Sequence, residues 1–365
     1  MADQWLATLR SPSLDEQPEI PSSLLAERKS QLMVASVDIG ANSVRLLVGR
    51  VLPGGHVERI CQERAIVRLG RGVKGTGFLQ KESVELALDV LGRYVTVAAE
   101  KGAEKILACA TSAVREAKNA PLFLSAVKAE TGLEVKVLSG WEEASWSMEG
   151  MKGVWEDPPP LWMGVDVGGG STEIFLAQGD VLLDARSIPL GMVGLTEEFF
   201  KEDPPTRESL KMSKERARES LHGAIRGLGL WKKGIPLVGT AGTVTTLAAL
   251  EARMSDYNGD LIHGKILSRE RVRKWIATLA SMGREERLKL AGMERGREDV
   301  IVAGAVIVDA VLDLAGVREL MVSDHGLLEG IAKMAPELGQ LLPARGAGET
   351  LERKGGMGES CWTMN

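Results

Sequence analysis

Leu161-Trp-Met-Gly-Val-Asp166-Val-Gly168-Gly169-Gly170-Ser171-Thr172-Glu173-Ile-Phe-Leu-Ala177 decides how the chain is read. A short apolar strand ends on the carboxylate of Asp166, a triple-glycine turn follows, and a second apolar strand leads away. Glycines reach φ > 0 and let N–H groups approach a ligand closely, so the turn suits a phosphate oxygen and the carboxylate beside it a cation. A P-loop would continue as Gly-Lys-Ser/Thr into a helix, and a dinucleotide fingerprint also opens a helix. Here Glu173-Ile-Phe-Leu-Ala continues as strand, and Gln178-Gly179-Asp180 turns into Val181-Leu-Leu-Asp-Ala. The residues predict a β-hairpin wrapped around a phosphate site, although taken alone they fit a ligand-free glycine-rich hairpin as well.

The pattern occurs twice. Met33-Val-Ala-Ser-Val-Asp38-Ile-Gly40-Ala-Asn42-Ser43-Val-Arg45-Leu-Leu-Val48 is again strand, carboxylate, small-residue turn and strand. Such a repeat reads as an internal duplication, with two matched halves facing each other across a cleft. Between and after the hairpins, strand-like and helix-like pieces alternate, which points to α/β layers. Strand pieces are predicted at 56–62, 64–69, 105–110, 134–138 and 319–322. Helices are predicted at 81–100, after Thr111-Ser112 as N-cap, from Asn119, and at 207–227, 269–282, 298–315 and 326–335. Residues 70–77 and 190–194 read as loops.

Two further stretches carry chemistry. In Ser139-Gly-Trp-Glu142-Glu143-Ala144, Ser139 and Glu142 fit a capping box, which leaves Glu143 a carboxylate without a structural task. It is equally well read as a solvated helix residue. Gly239-Thr-Ala-Gly242-Thr243 runs from a strand into a helix, where free N–H groups form a second anion seat, or simply permit close packing. His263 is alone and reads as structural. The basic run Arg64, Arg68, Arg71 and Lys74 is either a solvated edge or, through Arg68 and Arg71, part of a path for a polyanion.

At 365 residues the chain is long enough for two domains. We expect a mobile extension at 1–31, a first domain at 32–160 with the last helix, about 324–336, packing back on it, a second domain at 161–323, and a loose tail at 343–365. Glu156-Asp-Pro158-Pro-Pro160 is the expected linker. The net charge of −5 argues against a nucleic-acid coat, so any anion pocket is built locally. Cys61, Cys109 and Cys361 show no metal-ligand spacing, which fits a reducing cytoplasm. The apolar run 300–308 is far short of a membrane span, and no signal peptide is read at the N-terminus.

Together these motifs resemble the exopolyphosphatase / guanosine pentaphosphate phosphatase (Ppx/GppA) family, along with Val67-Arg68-Leu-Gly70, Ala110-Thr-Ser-Ala-Val-Arg115, His263-Gly264 and Val322-Ser-Asp324-His-Gly-Leu-Leu-Glu-Gly330. The resemblance runs from about Val34 to Lys333. It implies two actin-like, ribonuclease H-like domains of the sugar kinase/Hsp70/actin superfamily around a cleft, Mg²⁺ or Mn²⁺, and hydrolysis of a terminal phosphoryl group. By motif position it implies Glu143 as general base on the attacking water, and Asp166 and Glu173 as metal or water ligands. Arg115, Asn42, Ser43, Gly168, Gly169, Gly170, Ser171, Thr172, Gly242 and Thr243 match phosphate contacts. Members often pair, so a homodimer is an expectation of the same kind. Ala41 stands where a Ser or Thr is frequent, removing one phosphate hydroxyl. The chain looks like the short form, without a further HD-like helical domain. Polyphosphate is the leading substrate and guanosine pentaphosphate the runner-up; an actin-like ATPase or kinase and a non-catalytic sensor remain open.

Overall fold

The computed structural model describes residues 32–155 and 157–342; the extension and tail expected at the two ends lie outside the described residues. Met33-Val-Ala-Ser-Val-Asp-Ile puts Met33, Ala35, Val37 and Ile39 on one face of a period-2 strand and Val34, Ser36 and Asp38 on the other, and nearly all of it is buried, as in a strand with partners on both sides and layers above and below. It forms β1 (Met33–Ile39), paired antiparallel with β2 (Ser43–Val51), which in turn pairs with β3 (Val57–Ile66). The two pieces expected at 56–62 and 64–69 are thus one strand, because no turn residue interrupts the alternation of buried and exposed positions. On its other side β1 lies parallel to β4 (Lys105–Ala110), which is parallel to β5 (Val135–Val137).

The second sheet repeats this order. β6 (Trp162–Val167), β7 (Thr172–Gln178) and β8 (Val181–Ile188) are the antiparallel three, and β9 (Leu237–Thr240) lies parallel to β6. β10 (Ile266–Ser268) pairs antiparallel with β11 (Glu319–Val322), itself parallel to β9. A short β12 (Gln340–Leu341) joins β4 of the first sheet. Strand orders β3-β2-β1-β4-β5 and β8-β7-β6-β9-β11 are the same path, so the halves are the actin-like, ribonuclease H-like pair expected from the repeated hairpin.

The first sheet carries α1 (Val73–Thr76), α2 (Lys81–Glu100), α3 (Ser112–Glu116) and α4 (Ala120–Thr131); α5 (Gly140–Met151) follows β5. The second half holds α6 (Met192–Phe199), α7 (Arg207–Arg226), α8 (Ala241–Glu251), α9 (Arg269–Ala280), α10 (Arg284–Arg287), α11 (Ile301–Ala315) and α12 (Leu327–Leu338). Helix α11, which contains most of the apolar run near residue 300, is buried on nearly every side and forms the second core. No helix among the described residues is long and apolar enough to cross a membrane.

Three sequence expectations are corrected. Residues 70–77 contain the single turn α1. The segment 190–194 is not all loop: α6 starts at Met192 because the N–H groups of Met192 and Val193, free at a helix start, donate to the carbonyls of Gly168 and Gly169. The boundary at 160 also misplaces α5, which packs against β7 and β8 of the second sheet, while α12 lies on β1, β2 and β4 of the first. These two helices cross at backbone contact. A Cβ on Gly150 would sit 1.8 Å from the Gly326 carbonyl oxygen, and one on Gly330 would sit 1.9 Å from that of Trp146.

Candidate active site

The two hairpin turns meet at the bottom of the cleft. Each is closed by the same bond, Gly40 N–H to Ser43 O and Gly168 N–H to Ser171 O, both 3.0 Å. The N–H groups of Ala41, Asn42, Gly169 and Gly170 have no backbone carbonyl partner, which leaves paired donors for an anion. The glycines are required here by lack of volume, and the expectation of positive φ at 168–170 does not hold. A Cβ on Gly169 would stand 3.0 Å from Ala41 Cβ, and one on Gly170 2.5 Å from Ser112 Oγ. Ala41 is therefore the spacer where the halves touch.

A cleft opens over these turns. The first half lines it with Asp38, Asn42, Ser43 and Arg45, and with Thr111 and Ser112 at the start of α3. The second half contributes Asp166, Gly168, Gly169, Ser171, Gly242 and Arg297, and α5 brings in Glu143. None of the lining residues is aromatic.

The strand register decides the electrostatics. Asp38 faces Arg45 across β1 and β2, and Asp166 faces Glu173 at the equivalent place across β6 and β7. The first half is thus self-neutralised: Asp38 Oδ2 accepts from Arg45 Nε at 2.9 Å and Nη2 at 2.6 Å. Burial opposes the Arg45 charge, yet Asp38 outweighs it and raises the guanidinium pKa. The second half opposes two carboxylates, a pairing that favours a proton or a cation between them. Burial first, and then Asp166, push Glu173 up to about 7. Burial also raises Asp166, which accepts from Ser147 Oγ at 2.8 Å.

Glu143 is 6% exposed. Burial, followed by the Glu173 charge, holds its carboxyl well above the usual range against the pull of Arg115. The task that the capping box left open for Glu143 is filled by Arg115, whose Nη1 donates to Glu143 Oε2 and to Leu138 O, each at 2.8 Å. The Ser139–Glu142 box itself forms as expected. In the cleft, the buried oxygens Asp38 Oδ1 and Glu173 Oε2 have no hydrogen-bond partner among the described residues. Among the described residues no three His, Cys, Asp or Glu side chains converge as a closed metal cage. Mg²⁺ is content with one or two carboxylates, completed by water and phosphate oxygens, and the orphaned Glu173 oxygen opposite Asp166 fits that demand.

The other sequence candidates sort by what their side chains touch. Asn42, Ser43, Gly168, Gly169, Ser171 and Gly242 reach the cleft wall. Thr172 and Thr243 do not: their hydroxyls turn inward to Leu190 O and Val167 O. Gly170 is packing space for Ser112, and Arg115 is engaged with Glu143. Arg68 stands at the rim, paired with Asp299 at 2.9 Å. Thr111 makes no side-chain cap and lines the cleft instead. Sequence reasoning passed over Arg45 and Arg297. Arg45 carried a signal, since it follows Asp38 at the same spacing as Glu173 follows Asp166. Arg297 had no local signal in its charged run; its guanidinium fills the space a Cβ on Gly242 would take, at 1.7 Å.

Comparison with known proteins gives a consistent result. The model of the Ppx/GppA phosphatase family matches residues 48–335. "Exopolyphosphatase 2" of Mycobacterium tuberculosis is 36% identical over 311 residues, covering 82% of this chain and 97% of that protein. The crystal structure of the Aquifex aeolicus Ppx/GppA family member is similar at 37% identity with a TM-score of 0.68, covering 83% of this chain and 96% of that one. An exopolyphosphatase from Cytophaga hutchinsonii is similar at 25% identity with a TM-score of 0.75, covering 83% and 97%. With the duplicated sheets and the cleft geometry, these matches establish that the chain belongs to the Ppx/GppA phosphatase family.

Proposed function

We propose that the chain is an exopolyphosphatase that releases terminal orthophosphate from inorganic polyphosphate, with Glu143 as the general base. The observation that carries this reading is the buried Glu143 carboxylate, held by Arg115, beside two anion-binding turns. Phosphoryl transfer asks mainly for positioning and for neutralisation of oxygen charge. The N–H groups of the turns, with Arg45 and Arg297, provide both. Hydrolysis also needs a base for the attacking water, and a carboxylate raised toward neutrality is suited to it. The water oxygen bonds to the terminal phosphorus as its proton passes to Glu143, the bridging P–O bond breaks, and the shortened chain leaves with the bridging oxygen. Arg115 fixes the Glu143 rotamer through this step.

Asp166 and Glu173 would hold a divalent cation, Mg²⁺ or Mn²⁺, which when bound neutralises phosphoryl oxygen charge. Ser147 and Ser187 hold those two carboxylates, the latter donating to Glu173 Oε1 at 2.7 Å. Polyphosphate is placed ahead of guanosine pentaphosphate because the cleft wall offers no aromatic platform for a base. The test is phosphate release from long polyphosphate, tripolyphosphate and guanosine pentaphosphate across Mg²⁺ and Mn²⁺. Release from polyphosphate at the highest kcat/KM is expected; preference for guanosine pentaphosphate would reverse the order, and release from none would reject the reading.

A further inference from the structure

The basic run of the first half is not left to solvent. Arg64 pairs with Glu294, Arg68 Nη2 with Asp299 at 2.9 Å, and Lys74 with Glu198. Between them the Gly72 N–H donates to Glu197 Oε1 at 3.0 Å. Every acceptor belongs to the second half, and they come from two separate places, α6 and residues 294–299. Both places continue into the cleft wall, through Met192 and Arg297. The result is a strap of carboxylates laid on the cations at the cleft mouth.

The Arg68 and Lys74 pairs are open to exchange. Arg68 and Lys74 keep 42% and 47% of their side-chain surface in contact with solvent, so each pair contributes little and is screened by salt. The Arg68–Asp299 pair is incomplete: Arg68 Nε and Asp299 Oδ1 are both buried without a partner. A guanidinium fork accepts phosphate oxygens in the same geometry as a carboxylate. Arg68 sits beside the cleft wall, its N–H donating to the carbonyl of Asn42 at 3.0 Å, so a long polyanion held beside Glu143 would have these cations within reach.

We propose that Arg68 and Lys74 form a second polyanion-binding site, occupied in the substrate-free protein by Asp299 and Glu198, and that the trailing phosphates of a long chain displace these carboxylates. The proposal rests on the polyphosphate reading of the cleft. Its consequence runs against a purely structural role for the strap, since removing acidic partners improves use of long chains and leaves short ones alone.

The test compares kcat/KM for long-chain polyphosphate and for tripolyphosphate in the full-length protein at low salt, reported as the ratio long to short. A loss of folded protein cancels in that ratio. Asp299→Asn with Glu198→Gln is expected to raise it about 2- to 10-fold, the scale of two exposed pairs. Arg68→Gln with Lys74→Gln is expected to lower it by a similar factor, and added NaCl to shrink both differences. An unchanged ratio in both double variants, or a lower ratio in Asp299→Asn with Glu198→Gln, overturns the proposal. Wild-type protein that releases no phosphate from either chain overturns the underlying reading instead.

Discussion

Gly150→Ala is the substitution that most sharply separates a working α5–α12 crossing from a tolerant one. The added Cβ would lie 1.8 Å from the Gly326 carbonyl oxygen. Ordinary carbon contacts are about 3.5–4.0 Å, so α12 must retreat roughly 1.5–2 Å. The obstacle is backbone at the helix start and cannot swing aside as a long side chain would. Overpacking of this kind costs about 3 kcal/mol, at the upper end of what extra methyl groups usually do. In a chain of this size, with about 2.1 cal/mol/K of unfolding entropy per residue, that is a fall in melting temperature of roughly 4 °C. Because α5 also carries Glu143 and Ser147, displacement by more than about 1 Å should lower kcat about 10²-fold or more. Gly92→Ala is the control. Gly92 sits inside α2 with nothing within 4 Å of its Cβ position, so the variant should gain about 0.5–1 kcal/mol from helix propensity and keep full activity. Differential scanning calorimetry and phosphate release on both variants give the answer. A Gly150→Ala protein that melts at the wild-type temperature with wild-type kcat would refute the tight crossing.

Gly242→Ala should act differently, because its Cβ meets the end of a side chain, the Arg297 guanidinium, and not backbone. Melting should change little while kcat/KM falls about 10- to 100-fold through loss of the cleft guanidinium, and a parallel loss of stability would count against it. Arg115→Ala should shift the acid limb of the pH–rate profile to higher pH, since Arg115 lowers the raised Glu143 pKa; Arg115→Lys should restore part of the shift. In the metal-free protein Glu173 binds its proton more tightly folded, at about 7, than at its usual 4.5. Its contribution to stability is therefore full below about pH 4.5 and is lost as pH rises through about 7, on the order of 3 kcal/mol. Urea midpoints should fall between pH 5 and pH 8, and Glu173→Gln should flatten that fall; a slope the same in both proteins would contradict the assignment.

The duplicated fold was legible because both hairpins state the same rule locally: an apolar strand, a carboxylate, small residues, and a second strand. The scarcity of charged residues in β1 and β6, each with one carboxylate only, fits their place at the centre of their sheets. The capping box of Ser139 and Glu142 was equally local and was read correctly. What escaped was decided by pieces far apart in sequence. Gly169 and Gly170 are glycines because Ala41 and Ser112 of the other half press on them, which no local pattern encodes. The α5 helix follows strands of the first sheet yet packs on the second, where Ala144, Met148 and Met151 join Trp162, Phe175 and Ala185 in one apolar cluster, a choice of sheet that the stripe itself does not state. Arg115 reads as a phosphate ligand by position, while its bond to Glu143 through Nη1 was not legible in the sequence. The basic run at 64–74 gave no hint of its carboxylate partners, which lie more than a hundred residues later.

The assignment of Glu143 is tested most directly by Glu143→Gln, which keeps the shape of the side chain and removes its basicity. Initial rates of phosphate release from polyphosphate, with Mg²⁺ or Mn²⁺ present, should fall about 10²- to 10⁴-fold with little change in KM. Release at the wild-type rate would show that Glu143 is not the base.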